Sequence, residues 1–88
     1  MKKMKLKKVY PYLDGFYVVR VWAADTIDSE FKIVYEGYLN EIPKKYKKYY
    51  LIKRKDNDDS EAITVVDWNW NESKIKGVGY RITLVKKY

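Results

Sequence analysis

The chain contains no cysteine and no histidine. The first absence excludes disulfides, thiolate metal sites and thiol nucleophiles together. The second removes the commonest general base and a frequent metal ligand, so that Ser29, Ser60 and Ser73 have no imidazole to activate them. Glycine and proline are scarce, at four and two residues, and Gly77-Val78-Gly79 does not open a helix as a phosphate-cradling loop must. No run approaches the ~20 apolar residues of a membrane-spanning helix, and the basic residues up to Lys8 are followed by no apolar stretch of signal-peptide length. These absences lead to the expectation of a non-enzymatic cytoplasmic protein with no catalytic residues, no cofactor, no metal and no membrane partner.

What is present describes a folded chain with a crowded basic surface. Eighty-eight residues correspond to one domain, residues 1–88, in a size range where roughly 60–65% of the unfolded chain's surface is buried on folding. Hydrophobic residues at 47% and aromatics at 17% place the chain outside the disordered class, while 35% charged residues exceed the average domain. Nineteen Lys and Arg against twelve Asp and Glu give a net charge of +7. That charge either serves an anionic partner, nucleic acid first among them, or reflects the lysine codons of an AT-rich genome.

Met1 to Lys8 reads as a loose basic arm, residues 1–5 in particular, or as an edge strand with Met4, Leu6 and Lys8 on one side. Val9 to Tyr12 reads as extended ahead of an Asp14-Gly15 turn. Phe16 to Ala24 is the strongest strand pattern, apolar on both parities apart from Arg20, which predicts a central strand with Arg20 paired to a carboxylate such as Glu36. After a polar loop, Phe31, Ile33 and Tyr35 alternate with Lys32, Val34 and Glu36 in a second strand, and Gly37 marks a bulge, bend or close approach. Asn40 as a cap and Pro43 in the first turn predict one or two helical turns over residues 41–48, with Ile42, Tyr46 and Tyr49 or Tyr50 turned inward. Tyr49–Lys53, Ala62–Asp67 and Tyr80–Lys87 read as further strands, and residues 71–79 as a loop. The fold class is therefore mainly β: a compact antiparallel twisted sheet or small partly open barrel with one short helical insertion.

The residues that carry chemical promise are lysines interleaved with tyrosines, since cations neutralise phosphates while flat rings offer stacking platforms for unpaired bases. Lys44, Lys45, Lys47, Lys48, Lys53, Arg54, Lys55 and Tyr50 form that candidate surface for a partner or nucleic acid. Asp56, Asp58, Ser60 and Asp67 match some positions of a calcium loop, but Glu61 stands where the sharp turn needs glycine and Asp67 where a bidentate Glu is expected, so the stretch reads as a solvated acidic hairpin loop. Trp68 and Trp70 share a strand parity with Ala62, Thr64 and Val66 and read as mainly core, with an interface as the alternative.

Val34-Tyr35-Glu36-Gly37, four further residues, then Ile42-Pro43-Lys44-Lys45-Tyr46 and an apolar strand, with Asp14-Gly15 ahead of the first strand, resemble small accessory proteins encoded in phages and mobile elements of Gram-positive bacteria. The likeness runs between Tyr10 and Lys53; the Trp-Asn-Trp-Asn and Gly-Val-Gly region departs from it. The resemblance implies a counter-defence inhibitor of the anti-CRISPR kind, acting in the bacterial host cytoplasm on a host defence protein or ribonucleoprotein complex. Direct binding of single-stranded DNA or RNA is the rival expectation, and an oligomer that sequesters a small ligand between subunits is a third.

Overall fold

The computed structural model describes residues 4–52, 62–67 and 78–88. Its centre is β1, Val18–Ala24, a β-branched and aromatic run suited to a pleated, covered surface. β1 turns into β2, Lys32–Tyr38, and pairs with it antiparallel. On its other side β1 pairs in parallel with β5, Val78–Val85. The far edge of β5 carries two short antiparallel partners end to end: β3, Tyr50–Leu51, opposite Leu84 and Val85, and β4, Ile63–Asp67, opposite residues 78–82. Between them Ile52 N–H donates to Thr83 O at 3.2 Å, and Thr83 N–H donates to Ala62 O at 2.9 Å. β3 and β4 thus meet end to end at a single residue of β5, Thr83, like one interrupted strand.

The expected mainly β fold is present as one open sheet in the order β2–β1–β5–β3 with β4 beside β5, not closed into a barrel. It is mixed rather than wholly antiparallel, because the two covered strands, β1 and β5, form the parallel pair.

One face of the sheet is the core. Val19, Val21 and Ala23 lie in register with Tyr80, Ile82 and Leu84, and Leu6, Leu39, Ile42 and Tyr46 close over them. Each fully buried aliphatic side chain contributes about 1.5–3 kcal/mol of transfer free energy. The covering layer consists of short helical pieces: α1, Leu6–Val9, continued by a 3₁₀ turn over Tyr10–Tyr12, a second 3₁₀ turn over Leu39–Glu41, and α2, Lys44–Lys47. On the opposite face Arg20 Nη2 donates to Glu36 Oε2 at 3.4 Å, the expected cross-strand pair.

Several expectations are corrected. Val9–Tyr12 is helical rather than extended, because Pro11 stands in the first turn of the 3₁₀ segment, where its missing N–H costs nothing. Met4 and Lys5 do lie on the sheet edge, but Leu6 is fully buried within a helix, so the alternation of Met4, Leu6 and Lys8 along one strand does not form. The helical insertion is two pieces, with Asn40 inside the 3₁₀ turn and no side-chain cap on either. Val78 and Gly79 belong to β5, not to a loop. In β2, Val21 pairs with Tyr35 but Trp22 with Ile33, so Val34 is an extra residue that breaks the alternation. Ile33, expected to be architectural, is therefore 41% exposed. The tryptophan and calcium-loop readings lie outside the described residues, apart from residues 62–67.

Gly37 is the backbone's one positive-φ glycine among the described residues, at φ 152°. A Cβ there would meet the Tyr35 hydroxyl at 2.8 Å. The space left by glycine lets the Tyr35 ring lie across it and donate its O–H to Tyr38 O at 2.7 Å.

Candidate functional site

Two lysine-rich segments far apart in sequence meet on the helical layer. Leu6 and Tyr46 enter the same core, which brings α1 and α2 into contact. Backbone bonds fix the join: Leu6 N–H donates to Tyr49 O at 2.9 Å, Leu51 N–H donates to Met4 O at 2.7 Å, and Lys5 bridges Tyr50 antiparallel. Met4 and Lys5 thereby extend the sheet beyond β3. Lys7 and Lys8 join Lys44, Lys45 and Lys48 as exposed cations, with Lys5 and Lys47 half-buried among them. Among the described residues no carboxylate forms an ion pair with these lysines.

Of this cluster, Lys44, Lys45, Lys47 and Lys48 are the cations that the sequence pattern singles out; Lys5, Lys7 and Lys8 join them only through the fold. The nearest local mark of the second group is Leu6, the single leucine among these lysines, which the fold buries completely. Lys53, Arg54 and Lys55 lie outside the described residues.

The tyrosines of this face are used internally. Lys47 Nζ sits 4.0 Å from the Tyr10 ring centroid, Lys45 Nζ 5.0 Å from Tyr46 and Lys5 Nζ 5.4 Å from Tyr50, interactions worth roughly 0.5–1 kcal/mol each at exposed sites. Tyr10 donates its hydroxyl to Leu39 O at 3.1 Å. Tyr46 packs edge-on to Tyr49, and Tyr50, the predicted stacking ring, packs edge-on to Tyr88 with centroids 5.8 Å apart. These rings support the lysines from beneath. What the surface presents to solvent is positive charge on aliphatic stems, suited to phosphates or other clustered anions.

A cleft of 340 Å³ opens where β1 ends, between the β1–β2 loop and α2, with Asp25, Glu30 and Lys32 at its mouth and Tyr46 and Tyr49 on its wall. Its size is at the small end of ligand pockets and its lining mixes both charges. Glu36 is held by Arg20. Among the described residues no three metal-ligating side chains gather, and no helix is long and apolar enough to cross a membrane.

Fold and surface together define a small open β sheet with a lysine-covered helical layer. No family model matches the chain, and neither does any curated protein or solved structure.

Proposed function

We propose that this protein is a non-enzymatic interaction protein that engages a nucleic-acid-handling complex through its lysine-covered helical face, acting as a phage-type inhibitor of a bacterial defence system. The observation that carries the reading is the meeting of residues 5–8 with residues 44–48, which gathers cations from two parts of the chain on one surface. A net charge of +7 adds a long-range attraction for such a complex. The same sign argues against mimicry of DNA, which needs an acidic surface. The inhibitory role draws on the resemblance to phage accessory proteins; the anionic target draws on the surface itself.

The test is a pull-down from lysate of a bacterial host carrying a defence system, before and after nuclease treatment, with wild type and with Lys44, Lys45, Lys47 and Lys48 all changed to Gln. The reading expects one defined complex that survives nuclease and disappears with the quadruple variant. Recovery of the same complex by both proteins, or of nucleic-acid-dependent contaminants alone, rejects it.

A further inference from the structure

The lysine face lacks free rings of its own, but two exposed rings follow α1 closely in the chain. Tyr12 is 87% exposed and Phe16 80%, the most exposed large aromatic side chains among the described residues. Their neighbours have found partners: Tyr10 lies under Lys47, Tyr17 stacks at a tilt on Tyr80 with centroids 4.9 Å apart, and Leu13 packs against the core.

The backbone that carries these two rings is tied down on both sides. Leu13 N–H donates to Tyr10 O at 3.1 Å, and Asp14 N–H to the Tyr80 hydroxyl at 3.2 Å. Phe16 N–H donates to Asp14 Oδ1 at 2.9 Å, and Tyr17 N–H to Asp14 O at 3.1 Å. Asn40 N–H closes the turn from outside by donating to Gly15 O at 2.9 Å. Rings held in water on an anchored backbone lose little freedom when a partner covers them, which is the condition for a preorganised contact.

Charge selects the partner. Tyr12 ends a helical segment that begins at Leu6 and carries Lys7 and Lys8. Lys7 and Lys8 are both exposed. A flat ring on the same segment as exposed ammonium groups fits a ligand that is itself flat and anionic. An apolar peptide would use the rings and leave the lysines idle.

Resting on the reading of the helical face as a surface for an anionic target, and going beyond the protein complex proposed for it, we infer that Tyr12 and Phe16 are stacking platforms for unpaired bases of a single-stranded nucleic acid whose phosphates follow the lysines of α1. The Asp14 carboxylate, turned to Phe16 N–H, marks the side that the phosphates avoid.

The inference is tested by fluorescence anisotropy at low salt, with labelled oligothymidylate, oligouridylate and an abasic strand of equal length. Wild type should bind the strands with bases more tightly than the abasic one. Stacking is worth roughly 1–3 kcal/mol per base, or about 5- to 150-fold. Tyr12→Ala and Phe16→Ala should each reduce affinity for the base-bearing strands by a factor in that range without changing abasic binding, and Tyr12→Trp should preserve it. Because both rings are in solvent, thermal midpoints should stay at the wild-type value, which separates a loss of stacking from a loss of folding. Equal wild-type affinity for base-bearing and abasic strands, or alanine variants that weaken all strands alike or none, overturns the inference while leaving the lysine face intact. Failure to bind any strand also overturns it, and the nuclease-treated pull-down then decides the broader reading separately.

Discussion

At the scale of single residues, Gly37 and Tyr35 act as a pair. Gly37→Ala places a Cβ against the Tyr35 hydroxyl in a backbone conformation that L side chains rarely adopt, and it should lower unfolding free energy by about 1–3 kcal/mol, read as a shift in the urea midpoint. Tyr35→Phe removes the bond to Tyr38 O and should cost about 0.5–1.5 kcal/mol at neutral pH. Burial, with Glu41 and Tyr10 nearby, raises the Tyr35 hydroxyl above its ordinary value of 10.0. The native state therefore holds this proton more tightly than the unfolded chain does. The associated stability is fully present below pH 10.0 and is lost as pH rises through the raised folded value. The gap between wild type and Tyr35→Phe should accordingly be constant below that pH, narrow above it and then level off. A gap unchanged across that window in parallel urea titrations would contradict the assignment.

At the scale of elements, α1 is held chiefly by one side chain. Leu6→Ala should destabilise by about 2–5 kcal/mol and should also weaken anion binding beyond what its charge-neutral chemistry predicts, because α1 carries Lys7 and Lys8 to α2. Circular dichroism melts and binding at matched temperature check both effects. The elements also show what was legible in the sequence. β1 and its Arg20–Glu36 link could be read, since β-branched residues on both parities and one lone Arg leave little choice. Ile42 and Tyr46 could be placed inward from helical spacing. The bulge at Val34 could not, because alternation tells how a strand would face if it ran unbroken and carries no mark of a slipped register. The helical turn at Tyr10–Tyr12 was hidden by the preference of a residue before proline for extended backbone, which the buried anchors on either side, Leu6 and Leu39, override. Of the candidate surface, the lysines of α2 were legible as a local run. The contribution of α1 was not, since it depends on packing against an element more than thirty residues distant along the chain.

At the scale of the whole molecule, the +7 charge makes salt the decisive variable. Changing Lys44, Lys45, Lys47 and Lys48 to Gln should flatten the log–log dependence of single-strand affinity on salt by up to about 3, at roughly 0.7 for each phosphate no longer neutralised. It should leave the unfolding free energy within about 0.5 kcal/mol, as surface changes generally do, apart from the small loss of the cation–ring interactions of Lys47 and Lys45. An unchanged slope would move the anion-binding surface elsewhere on the protein.

The interrupted strand on the edge of β5 has a consequence for what this sheet leaves open to other chains. Ile52 and Ala62 close on the two backbone groups of Thr83, so one residue of β5 holds the ends of both edge segments. Without those two bonds the far side of β5 would present an unpaired N–H and C=O at Thr83, the kind of open edge that invites pairing with another chain.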